Sequence, residues 1–126
     1  MGFLPPDDQR YLSEKGITFE EMEDGPRKGI VLRSYPLPAG RFDAPAVDVL
    51  ILLPSGYPDI PPDMFHTMPW LRLKSKNRYP NRADQEVSFA GQKWQRWSRH
   101  NNEWRSGVDG IWTMLKRVDN ALAVAA

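Results

Sequence analysis

The chain contains no cysteine. That absence removes disulfides, thiolate zinc sites, iron–sulfur clusters and every thiol nucleophile from its chemistry. Histidine is nearly as scarce, with His66 and His100 alone. A metal centre would need both of them or a set of carboxylates, so neither a metal nor a cofactor is expected. No stretch approaches the ~20 apolar residues that cross a bilayer. The longest apolar run, Val49 to Leu53, has the length of a strand and stops at Pro54. Excess charge is missing too. Against 17 basic side chains stand 16 acidic ones, and a net +1 points to no polyanionic partner. Met1 to Asp8 has neither the basic nor the apolar segment of a secretion signal. A cytoplasmic protein with no membrane partner is the expectation.

What the chain does have is apolar material for a core and twelve prolines in 126 residues, too many for a simple helical bundle. No repeat, low-complexity tract or linker divides it, so residues 1–126 are expected to form a single domain. Residues 7–15 read as a short opening helix, led in by Pro5 and Pro6, favoured by Asp7 and Asp8, and stopped by Gly16. Three runs of strand character follow, at 17–23, 29–35 and 47–53, with turn residues between them. Their close spacing predicts an antiparallel meander, and the third run, apolar on both faces, should be a central strand. A weaker fourth strand is expected from Met64 to Leu73, broken by Pro69. Near the end, Val108, Ile111, Trp112, Leu115, Val118 and Leu122 form one apolar helical stripe, with a capping pattern at Ser106-Gly107-Val108-Asp109. The fold class that emerges is α+β.

Two segments stand out. In Pro54 to Pro62 four prolines fix φ and remove backbone donors, which makes a rigid extended corner that Tyr57 can lock by packing. The second segment, Val87 to His100, carries a possible Ala90-Gly91 hairpin turn, Trp94 and Trp97, and the pair Ser98 and His100 among arginines. Charge is uneven as well, because residues 72–105 hold nine bases against three acids. Lysine and arginine interleaved with Trp94, Trp97 and Trp104 is a composition on which single-stranded nucleic acid can stack. No nucleic-acid-binding signature accompanies it, so such a partner is not expected.

A strand, then Tyr57-Pro58-Asp59-Ile60-Pro61-Pro62, then a short strand with an aromatic resembles the ubiquitin-conjugating (UBC) fold. That fold has an N-terminal helix, a four-stranded antiparallel meander, a proline-rich corner and a C-terminal helical region. The chain is similar in particular to the prokaryotic ubiquitin-conjugating-like family E, through Gly56 to Phe65 and Trp94 to His100. The resemblance implies a bacterial modification pathway. Its partners would be a ubiquitin-like protein, a ThiF-type activating enzyme that consumes ATP, and a JAB-type metalloprotease that reverses the modification. Antiphage defence is the setting it suggests.

Ubiquitin-conjugating enzymes carry the modifier on a cysteine, which this chain lacks. A serine is one substitute, carrying the acyl group as an oxyester and activated by a neighbouring base. If 97–100 is extended, Ser98 and His100 share a face, and His100 can act as that base. Arg96 and Arg99 would then steady the oxyanion or dock the modifier, with Trp94 and Trp97 beside them. A second candidate is Ser88, because Tyr79-Pro80-Asn81 resembles the tripeptide before the family's cysteine and Val87-Ser88-Phe89 then matches its slot. Asn81 would inherit the oxyanion-stabilising role. Ser98 with His100 ranks ahead of Ser88. Without a serine nucleophile, the chain would be an inactive scaffold that binds the modifier or its activating enzyme. It could also carry an exchanged cysteine, of which Ser88 would be the remnant. His66 reads as a satisfied strand histidine.

Overall fold

A computed structural model of the chain describes residues 2–99 and 103–126. The first helix, α1 (Pro6–Glu14), starts on the two prolines and buries Leu12. Six strands follow: β1 (Phe19–Asp24), β2 (Arg27–Pro36), β3 (Ala46–Leu53), β4 (Phe65–Met68), β5 (Gln85–Phe89) and β6 (Gln92–Trp97). They form one antiparallel sheet in the order β1-β2-β3-β4-β6-β5. The second helix, α2 (Ile111–Val124), closes the order of elements. No helix among the described residues is long and apolar enough to cross a membrane.

The sheet has six strands where the sequence predicts a meander of four. The meander is present as β1 to β4, and the β5–β6 hairpin extends it. β5 is hard to see because Gln85-Glu86-Val87-Ser88-Phe89 holds only two apolar residues, the one-sided pattern of an edge strand. Ala90 and Gly91, with φ of 52° and 77°, supply the positive-φ pair that a two-residue hairpin turn requires.

Side chains alternate across this sheet as a period of two demands. Ile30, Leu32, Val49, Ile51, Phe65 and Trp97 face the helices and build the main core with Leu12, Ile111, Met114 and Val118. Val31, Leu50, Phe89 and Trp94 form a smaller cluster on the opposite face. At one corner the two outer strands meet. Ala90 N–H donates to Asp24 Oδ2 at 3.1 Å, and Arg27 Nη2 donates to Ser88 O at 2.6 Å. The β1–β2 turn and the β5–β6 turn are thereby tied across the sheet.

The helix start also differs from expectation. Val108 is 53% exposed, and α2 begins at Ile111. Asp109 instead folds back to accept Arg105 N–H at 2.7 Å and the Thr113 hydroxyl at 3.0 Å. Asp8 of α1 serves the free helix end, accepting Ile111 N–H on Oδ1 at 3.2 Å. Its Oδ2 accepts the Tyr57 hydroxyl at 2.6 Å, and Trp104 Nε1 donates to Pro58 O at 2.8 Å. The proline corner is thus locked to both helical ends of the molecule. Burial pushes the Asp8 carboxyl above its ordinary pKa, although both hydrogen bonds pull the other way.

Candidate active site

β6 carries several of the residues that the sequence marks as candidates, and its alternation separates them. Trp97 is 0% exposed, stacked on Phe65 with ring centroids 5.3 Å apart, and donates from Nε1 to Thr67 Oγ1 at 3.0 Å. Trp94 is 2% exposed and packs into the smaller cluster. Both expectations of a binding role for these rings are therefore corrected. Buried on opposite faces of the sheet, neither offers a surface to a partner, and neither can stack on a nucleic-acid base. Arg96 is also turned away from the main core. It pairs in register with His66 on the far face, so it does not join a group made by its neighbours on the strand.

Ser98 follows β6 directly and is half-buried. Its N–H donates to Arg82 O at 2.9 Å. The Arg99 guanidinium bridges the same two segments, donating to Ser98 O at 3.0 Å and to Asn81 O at 3.3 Å, and lies 5.4 Å from the Trp97 ring. Asn81 is fixed from the other side, where its N–H donates to Ala126 O at 2.8 Å and Arg78 Nη1 reaches its Oδ1 at 3.5 Å. Burial first, and then the charge of Arg82, lower the Arg99 pKa. The result is a serine beside an asparagine loop, ringed by Arg78, Arg82 and Arg99. The Ser98 hydroxyl makes no hydrogen bond among the described residues. His100 lies outside the described residues.

Ser88 stands elsewhere. It is exposed on edge strand β5, opposite Lys93, and its carbonyl is held by Arg27 at the tied corner of the sheet. The run from Lys93 to Ser98 covers roughly 16 Å at the usual strand rise. Ser88 and Ser98 therefore belong to opposite ends of the hairpin, and the Tyr79-Pro80-Asn81 loop adjoins Ser98. Counting along the chain from Asn81 suggests the reverse, because sequence distance ignores that β5 runs away from the loop and β6 returns to it. Arg82 is a member of the site that the sequence does not mark. Its place next to Asn81 is the available signal, but the bond it accepts comes from 16 positions away.

His66 is 4% exposed on β4, with Nδ1 3.4 Å from Leu50 O. Burial lowers its pKa to about 4, so the ring is neutral at pH 7. Among the described residues no group of three histidines, aspartates and glutamates stands where it could hold a metal ion.

An antiparallel sheet turned through a locked proline corner, with a serine and an asparagine loop joined at one end, defines an α+β protein of a recognisable class. The chain belongs to prokaryotic E2 family E, whose family model matches residues 4–125. Membership makes it a bacterial ubiquitin-conjugating-like protein. No curated protein and no solved structure matches it.

Proposed function

We propose that the chain is a single UBC-like domain that accepts the activated C-terminus of a ubiquitin-like modifier on Ser98, as an oxyester, and passes it to a target. Family membership supports the pathway. One observation carries the choice of residue: the hydrogen bonds from Ser98 to Arg82 and from Arg99 to Asn81 join the asparagine loop to Ser98 and leave Ser88 at the other end of the hairpin.

The Ser98 oxygen attacks the carbonyl carbon of the activated modifier while His100 takes the hydroxyl proton. Arg99 and Asn81 stabilise the oxyanion of the tetrahedral intermediate. Collapse breaks the bond to the activating enzyme's leaving group, which departs with the proton from His100. An acceptor amine or hydroxyl then attacks the ester, and Ser98 recovers its proton. ATP is consumed by a ThiF-type activating enzyme, and a JAB-type metalloprotease reverses the product.

The test is to incubate the chain with its activating enzyme, ATP and modifier. A covalent adduct should form that survives thiols and is cleaved by hydroxylamine or alkali. Ser98→Ala should abolish it, His100→Ala should slow it by about 100-fold or more, and Ser88→Ala should leave it intact. An adduct that persists in Ser98→Ala overturns the assignment. Failure of the wild type to load, with activated modifier present, would favour the non-covalent scaffold.

A further inference from the structure

The face of the sheet opposite the helices carries a cavity of about 430 Å³ that has no part in the chemistry of Ser98. Its floor is His66 and Arg96, paired in register across β4 and β6. Leu52, Met64 and Val87 supply apolar walls, and the start of β2 contributes Arg27 and Lys28.

Arg96 is the unusual member. Its Nε is buried without a hydrogen-bond partner, and its guanidinium makes no ion pair among the described residues. A half-buried cation left unpaired beside an empty space is costly unless something anionic fills that space. His66 adds a second requirement. Its Nδ1 faces Leu50 O, so that nitrogen carries the proton and Nε2 is left as an acceptor.

Charge sets the valence. Arg27, Lys28 and Arg96 line the cavity with Asp63, and Asp24 pairs with Arg27 at 2.8 Å. The surplus is about one positive charge, which suits a monoanion better than a phosphate dianion. The volume lies within the range of small-ligand sites.

We propose that this cavity binds an N-acylated apolar amino acid. Its carboxylate would lie on the Arg96 guanidinium, its amide N–H on His66, and its side chain against Leu52, Met64 and Val87. The same chemistry occurs in a free acyl amino acid and in the last residue of a peptide. The site is independent of the reaction proposed for Ser98.

N-acetylleucine is the probe, titrated into the ¹⁵N-labelled full chain and followed by NMR at the backbone amides of Leu52, Met64 and Val87, which the Arg96 variants retain. About a dozen heavy atoms should give a Kd on the order of 1 mM. The neutral N-acetylleucinamide should bind about tenfold more weakly, and Arg96→Gln should weaken N-acetylleucine by a similar factor. Arg96→Lys keeps the charge without the fork and should fall between, which guards against a folding defect in the glutamine variant. An acetylated tripeptide ending in leucine then separates the sources. Binding as tight as that of the probe admits a peptide end, and exclusion restricts the site to the free acid. Absence of a saturable shift with N-acetylleucine, equal affinity for the amide, or an unchanged Kd in Arg96→Gln would overturn the proposal.

Discussion

Asp8 shows how much one buried side chain can organise. It accepts from the Tyr57 hydroxyl and from Ile111 N–H, so it joins the opening helix, the proline corner and the final helix. Asp8→Ala strands a buried hydroxyl and a helix-end donor, and should cost about 2–4 kcal/mol in chemical denaturation. Tyr57→Phe should cost about 1–2 kcal/mol and raise the Asp8 pKa further, because it removes a bond that favours the carboxylate. Asp8 and His66 titrate with opposite signs. The raised pKa of Asp8 means that its contribution falls as pH rises through and above the ordinary carboxylate value. His66, held to about 4, leaves the unfolded chain binding more protons between pH 6.5 and 4, so stability is lost as pH drops through that window. The loss is on the order of 3 kcal/mol. Unfolding curves of wild type and His66→Gln should diverge at pH 7 and converge toward pH 4; parallel curves would exclude His66 as the source.

At the scale of elements, local signals are legible in the sequence and cross-chain ones are not. The first helix, three strands, the proline corner and the Ala90-Gly91 turn all rest on neighbouring residues, and all are present near their expected positions. The start of α2 escapes such a reading because its partner Asp8 lies 103 positions away. The site divides in the same way. Ser98, Arg99 and Asn81 are legible as candidates, whereas the joining of Asn81 to Ser98 rather than to Ser88, and the part of Arg82, rest on long-range bonds that the fold creates. Trp94 and Trp97 read either as core aromatics or as part of a basic binding surface, and a strand that is central to two packed clusters buries both. The tie between the two hairpin turns is testable at this scale. Asp24→Ala removes the acceptor of Ala90 N–H, and hydrogen exchange at that amide should accelerate about fivefold or more while β2 and β3 keep their protection. Asp24 is held below its usual pKa by the Ala90 bond first and by Arg27 next. The tie therefore persists above the ordinary carboxylate pKa and weakens as pH falls through the lowered one.

For the molecule as a whole, the two faces of the sheet have different uses. One is sealed by helices, and the other keeps a cavity over His66 and Arg96. Its two edges also differ from ordinary edges. An exposed outer strand is a template on which another chain can polymerise, and proteins blunt that hazard with charge or by covering the edge. Here the side chains of Asp24, at the end of β1, and Arg27, at the start of β2, occupy the Ala90 N–H and the Ser88 carbonyl at the end of β5. A foreign strand arriving at that corner must displace charge-assisted bonds before it can pair. At the corner that holds Ser88, the carbonyl and amide a foreign strand would need are already taken by Arg27 and Asp24.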